Sequence, residues 1–420
     1  MKTFTKATIS SLIGNAIEWY EYMLYAHFAT VISQLFFPSH DGNIAIMLTF
    51  ATFFIGFAAR PIGGIIFGHI GDKFSRKKML TITMLLMSIP TFILGALPTY
   101  ASVGRIATIA LVIIRILQGL ALGGEHGASC VYLYESATKN KRGFFGALSF
   151  TGVGLGLMLS SCTIFAIEYL FTKEEIYAYA WRIPFFVSVI GAIIGLYMRQ
   201  SLGETEDFLA ASQNNKLVKA PFIDVIKTHK KSLLKLFMMG ITASTSFFIV
   251  FVFCKSLMVA FLHYSPARAG KFNLFMVTIY TLSTLLFWMI PDRINRHHIV
   301  RLSTAGIFLI VYPFMLSMQS GNAVFILFTS LLLSAFIGLL SGSLNTIVAE
   351  SFAPQIRATG VAFFWNISSV VFGASSPMIS MQLLKNNAGV SSLAYYLMAV
   401  CIITILGGAY ESFKRKWNKQ

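Results

Sequence analysis

Charge is what this sequence has least of. Of its 420 residues only 12% are charged, 33 basic and 16 acidic, while 56% are apolar. A soluble domain carries about 25% charged residues, so a water-facing globule is excluded. Cysteine is also sparse. Cys130, Cys162, Cys254 and Cys401 are scattered inside apolar runs, with no pair at metal-ligand spacing, which excludes a disulfide framework and gives no metal site. Catalytic signatures are missing as well: no HExxH, no Walker lysine loop and no Gly-x-Ser-x-Gly elbow. Neither an enzyme nor an ATP-driven pump is therefore expected, and no cofactor. No small-residue cleavage site follows MKTFTKATIS, and Glu18 and Glu21 interrupt the first apolar stretch, so that stretch is expected to remain as an uncleaved first span. Strict two-residue alternation is absent, which argues against an outer-membrane barrel.

What the sequence does have is long apolar runs of about 20 residues or more, the length that spans a bilayer. Twelve can be drawn, at 7–36, 44–70, 79–98, 105–136, 143–169, 180–199, 233–262, 270–290, 298–318, 322–351, 358–384 and 391–411. Pro38, Pro98, Pro266 and Gly321 punctuate the turns. The expected fold is an all-α membrane protein of twelve transmembrane helices. With both termini in the cytoplasm, the opposite loops hold only Arg105, Lys173, Arg268, Lys271 and Lys385, and the remaining loop cations face inward, as the positive-inside rule requires. The net charge of +17 is thus spread over short loops, which excludes nucleic acid as a partner and leaves the lipid bilayer. The long polar stretch 200–231 reads as a cytoplasmic linker between an N-terminal six-helix bundle, 1–199, and a C-terminal one, 232–420. No heptad pattern follows residue 411, so no coiled-coil extension is expected.

The two bundles carry matching loops. Glu135 precedes Arg142 by seven residues in YESATKNKRGFFGALSF, and Glu350 precedes Arg357 by seven in AESFAPQIRATGVAFFW. Asp72 in GHIGDKFSRKK is matched by Asp292 in MIPDRINRHH. Such duplication is the mark of transporters that bind substrate near the bilayer midplane, between repeats. Residues 68–78, GHIGDKFSRKK, resemble the signature loop of the major facilitator superfamily, with Ser75 where the family usually has glycine. GNAIEWYEY, FAARPIGGIIFGHIGD, RILQGLALGGEHGA, RGFFGALSF, WRIPFF, GETEDF and ESFAPQIRATGVAFFWN resemble its metabolite:proton symporter family, which includes proline/betaine, 2-oxoglutarate, citrate and shikimate carriers. The resemblance implies two six-helix bundles in a bacterial cytoplasmic (inner) membrane, with a small-molecule substrate and protons as ligands. Span five lacks the Gly-Pro dipeptide that the superfamily's drug/proton antiporters carry there, which disfavours export by antiport.

Ionisable groups inside a membrane usually pair or face a cavity. The embedded acids read from the sequence are Glu18, Glu21 and Glu125; the bases are Arg60, Arg115 and Lys255. Glu18 and Glu21, three apart, share a helix face. Desolvation and a like-charged neighbour both favour the protonated form of a carboxyl, so Glu18, Glu21 and Glu125 are candidates for proton coupling. The alternative for the first two is permanent pairing with Arg60 or Arg115. Arg115 can clasp a substrate carboxylate bidentately or serve as a structural partner. Lys255 is a second candidate anchor or a snorkelling surface lysine. Trp19, Tyr22, Tyr25, Trp365 and Asn366 line a cavity or simply pack. Arg60, Asp72, Arg76, Glu135, Arg142, Glu350 and Arg357 are read as structural and gating residues. The expected function is proton symport, by a monomer, of a small polar metabolite, with a proline/betaine-like zwitterion favoured over a dicarboxylate. A uniporter or exporter on the same fold is the further alternative.

Overall fold

The computed structural model describes residues 2–39, 41–73, 76–135, 142–200, 225–227, 229–286, 295–352, 356–385 and 389–417. Among these no strand occurs. A backbone in hydrocarbon must satisfy its own hydrogen bonds, and a helix does so within one segment. The first half of the chain holds α1 (Lys2–His27), α2 (Gly42–Lys73), α3 (Arg76–Ala96), α4 (Arg105–Glu135), α5 (Arg142–Leu170) and α6 (Ile183–Gln200). The second holds α7 (Lys230–Phe247), α8 (Pro266–Leu286), α9 (Arg296–Ser320), α10 (Ala323–Glu350), α11 (Arg357–Ser368) and α12 (Ser391–Trp417). Two of these rods continue through a π-helical turn. Phe248–Phe253 carries α7 into Cys254–Ala260, and Ser369–Ala374 carries α11 into Ser376–Lys385.

The turn signals expected from sequence fall between these helices. Pro266 opens α8, where its missing N–H costs nothing. Gly321 ends α9 at φ 67° and the Asn322 side chain caps α10, so one dipeptide stops a helix and starts the next. The first apolar run is not one continuous helix. It steps at Phe28, whose ring packs 6.1 Å from Phe185 of α6, and resumes as the short helix Ala29–Phe36.

Eight helical stretches among the described residues are long and apolar enough to cross a membrane, and Thr81–Ala96 and Ser391–Gly407 are shorter apolar helices. Neither α1 nor α8 is among them, for a physical reason. Both turn polar side chains inward: Ser10, Asn15, Glu18, Glu21 and His27 of α1 are buried, as are Asn273, Thr281 and Thr284 of α8. The outer surface is the apolar one, with Ile62, Ile65, Ile106, Ile109, Leu302, Leu309 and Phe328 exposed. That inversion suits lipid.

Lipid provides no hydrophobic drive between helices, so close packing at small residues holds them together. On α4, Gly119 and Gly123 press against α2. A Cβ at Gly119 would meet the Gly56 carbonyl oxygen at 1.7 Å, and one at Gly123 the Arg60 carbonyl oxygen at 2.0 Å. The halves meet where α5 packs on α8 and α10, and where α2 and α4 pack on α11. Of the linker 200–231, residues 201–224 and 228 lie outside the described residues, and Lys230 and Lys231 already belong to α7.

Candidate functional site: a chamber between the halves

Six helices, three from each half, line a small central cavity of about 30 Å³. Trp19 of α1, Arg60 of α2 and Phe150 of α5 face Ser244, Phe247 and Phe248 of the α7 rod, Ser341 of α10, and Trp365 and Ser369 of the α11 rod. The walls are thus aromatic, with three hydroxyls and one guanidinium. Both π turns reach the lining through Phe248 and Ser369, and π turns inside α-helices often mark functional sites. Trp19 stands edge-on to Phe247 at 5.7 Å.

Arg60 is 1% exposed, and its Nε and Nη1 find no hydrogen-bond partner. Its guanidinium lies 5.0 Å from the Phe57 ring centroid, and the Glu18 carboxylate is within electrostatic reach. An unpartnered buried donor is costly, so an anionic ligand group gains here; Arg115 Nε and Nη2 are likewise buried without a partner, but Arg115 does not line the cavity. Glu18 itself is buried, 4% exposed.

Arg115 sits elsewhere. Its guanidinium is stacked against Tyr22 and Tyr25, 3.9 and 4.4 Å from their centroids. Nη1 donates to Gln118 Oε1 at 2.6 Å, and Gln118 Nε2 donates to Thr91 Oγ1 at 2.8 Å. Tyr22 and Tyr25 donate in turn to the backbone carbonyls of Phe53 and Thr49. Neither Arg115 nor Tyr22 lines the chamber.

Glu21 is fully buried beside this cage. Ser88 Oγ lies 2.9 and 3.1 Å from its two carboxylate oxygens, and Thr91 Oγ1 is 3.4 Å from Oε2. Among the described residues its partners are neutral hydroxyls, not a cation. Thr91 also joins it to the Gln118–Arg115 chain. Glu18 and Glu21, close in sequence, therefore stand in different surroundings, one by the chamber's arginine and one in a hydroxyl nest between α1 and α3.

Lys255, in the helix that follows the α7 π turn, donates from Nζ to Glu168 Oε1 of α5 at 2.8 Å. Sequence reasoning passed over Glu168 because it sits one residue from the end of the span drawn at 143–169, where an acid reads as interfacial. Asn345 was also missed, a neutral amide in an apolar run with no charge to flag it. Its Oδ1 accepts from Trp365 Nε1 at 2.9 Å and from Cys130 Sγ at 3.3 Å, and its Nδ2 donates to the Gly146 carbonyl at 2.6 Å. Asn366 donates to the Gly123 carbonyl at 3.0 Å. Both amides bind across the halves.

Of the gating residues read from the sequence, Glu350 forms an ion pair with Arg296 within the second half. Arg357 donates from Nε to the carbonyls of Ala349 and Phe352 and stands 5.1 Å from the Tyr134 ring centroid. The side chains of Asp72, Arg76, Glu125, Glu135 and Arg142, together with all of Asp292, lie outside the described residues.

The family model for sugar (and other) transporters matches residues 6–416. The inner membrane metabolite transport protein YhjE of Escherichia coli (strain K12) is 32% identical over 408 residues, which cover 96% of this chain and 92% of that one. The proline/betaine transporter of Salmonella typhimurium is 30% identical over 413 residues, 96% of this chain and 82% of that one. In fold, the chain is similar to the proton:xylose symporter XylE bound to 6-bromo-6-deoxy-D-glucose. The TM-score is 0.80 at 16% identity, over 97% of this chain and 95% of that one.

Proposed function

The chain belongs to the family of sugar and other transporters, on the major facilitator fold, and from that premise we propose that it is a proton-coupled symporter of a small carboxylate-bearing metabolite. It works by alternating access in a bacterial cytoplasmic membrane. Its twelve spans form two six-helix bundles, 1–199 and 232–420, joined by the linker 200–231, with both termini and the basic loops in the cytoplasm. It functions as a monomer.

The observation that carries this reading is Arg60, whose Nε and Nη1 have no partner in a buried chamber shared by both halves. A guanidinium binds a carboxylate through two parallel hydrogen bonds. The rest of the wall is aromatic (Trp19, Phe150, Phe247, Phe248 and Trp365), which suits an alkylammonium group through cation–π attraction. A zwitterion of the proline/betaine kind uses both features. An organic acid would use Arg60 and leave the ring faces idle. Coupling falls to Glu21. A buried carboxyl held by hydroxyls can bind a proton without breaking an ion pair, whereas Glu18 faces the Arg60 charge.

The test is uptake into proteoliposomes. Accumulation of the transported substrate collapses on adding a proton uncoupler, and indifference to the proton gradient would remove symport from the reading. Counterflow with betaines, amino acids and organic acids then ranks the substrates. A preference for organic acids over zwitterions would assign the aromatic wall to packing.

A further inference from the structure

The two ends of the seam between the halves are tied by different chemistry. At the end where α5 runs into the 171–172 turn and the α7 rod into residues 261–265, an ion pair joins the halves. Lys255 Nζ is 2.8 Å from Glu168 Oε1, and the two side chains are only 8% and 13% exposed. Other links surround it. Ser161 of α5 donates to Asn273 Oδ1 of α8 at 3.0 Å, and Asn273 Nδ2 donates to the Phe251 carbonyl at 3.1 Å. His27 of α1 shares a 3.0 Å hydrogen bond with Ser160 and lies within electrostatic reach of Lys255. At the other end the ties across the halves include amides on backbone carbonyls, from Asn345 to Gly146 and from Asn366 to Gly123, the Cys130 thiol on Asn345 Oδ1, the Thr151 hydroxyl on Thr284, and the Arg357 guanidinium near the Tyr134 ring, but no ion pair among the described residues.

Lys255 follows the π turn Phe248–Phe253 by two residues, so the segment that carries the cation is joined to α7 through the one irregular turn of the rod. Asn273 holds a carbonyl inside that turn, and the same turn supplies Phe248 to the chamber wall. A cavity-lining ring, the π turn and the ion pair therefore share one short segment.

We propose that Lys255 and Glu168 form a latch that keeps this end shut, and that the Phe248–Phe253 turn is the hinge on which it opens. The inference rests on the alternating-access reading above. An ion pair suits such a latch. Closed, each charge compensates the other. Open, water enters and hydrates both, so parting them leaves no stranded charge. Removing one partner changes the balance, because the closed state then holds an uncompensated charge at a nearly enclosed site. The single variants are therefore biased towards open, and an exchanged pair regains the closed state.

The test reads opening directly. Ser244, on the chamber wall, is changed to cysteine after Cys130, Cys162, Cys254 and Cys401 are replaced by serine. A membrane-impermeant maleimide is added on the Lys255 side, which is the periplasmic side in the proposed orientation. Glu168→Gln and Lys255→Gln each raise the labelling rate about tenfold or more. Combining Glu168→Lys with Lys255→Glu returns it towards the starting value. Unchanged labelling in both single variants, with the same monodisperse yield in detergent, overturns the latch. So does an exchanged pair that folds and labels as fast as the single variants. If the exchanged pair does not fold, Glu168→Gln with Lys255→Met takes its place and must label more slowly than either single variant. Labelling requires neither substrate nor a proton gradient, so this result and the uncoupler result can fail independently.

Discussion

The two halves share a plan but divide the chemistry. Most of the buried charge belongs to the first half, where Glu18, Glu21, Arg60 and Arg115 are at most 4% exposed. The second contributes hydroxyls and amides to the interior, Ser244, Ser341, Ser369, Asn345 and Asn366, and among the described residues both π turns lie there. The first half is also the more tightly closed on itself, with α2 and α4 touching backbone to backbone at Gly119 and Gly123. A charge in hydrocarbon needs a fixed partner, and fixed partners need rigid helices. A wall that must change shape is better made from neutral groups, whose hydrogen bonds are individually cheap to exchange. In the proposed mechanism the first half holds the proton and the substrate charge while the second half moves around them.

The largest test of that division is Glu21→Gln. Gradient-driven accumulation is expected to vanish while counterflow persists, measured with and without an imposed proton gradient. Normal accumulation would move coupling elsewhere and dissolve the contrast. Next is rigidity. Gly119→Ala is expected to cost about 3 kcal/mol, the upper part of the range for overpacking, because its Cβ meets backbone at 1.7 Å. Gly373→Ala, in the second half's π turn, meets the edge of the Phe248 ring at 2.7 Å, and a ring can shift, so a smaller loss is expected. Thermal unfolding of the two purified variants compares them, and equal losses would remove the difference in plasticity.

Arg60→Met is expected to weaken apparent substrate affinity by about 2 kcal/mol, or roughly 30-fold, the value of a charge-assisted hydrogen bond. Counterflow across a substrate concentration series reads this, with Arg60→Lys retaining part of the affinity. Unchanged affinity would return Arg60 to the purely structural role the sequence suggested. The smallest effect is Thr245→Val. Thr245 Oγ1 donates to the Phe372 carbonyl in the second π turn at 3.1 Å, and its loss should lower stability by about 1 kcal/mol, visible as a small drop in midpoint temperature. A larger drop would make the second half as intolerant as the first.

The fold was legible because its signals are local. Apolar runs and turn residues each act over a few residues, and Pro266 opens and Gly321 ends a helix in the structure as their backbone preferences dictate. The break at Phe28 was not legible in the apolar run, and Phe28 packs there against Phe185, far along the chain. The site was legible as a set of residue types but not as an arrangement. Arg60 and Arg115 look alike in sequence, each a lone cation in an apolar run. Which of them meets the chamber depends on helix rotation and on Tyr22 and Tyr25 closing around Arg115. Glu168 and Asn345 acquire their roles only from partners on other helices, Lys255 in one case and Gly146, Cys130 and Trp365 in the other.

The sequence by itself determined that this chain is a membrane-embedded transporter with acids buried in its first helix, since bilayer length, charge scarcity and family motifs are written in consecutive residues. Only the tertiary structure decided which buried arginine faces the chamber, which glutamate rests on hydroxyls, and that a lysine and a glutamate from opposite halves meet at one end of the seam. Those are matters of helix rotation and inter-helix distance, set by packing between segments far apart in the chain.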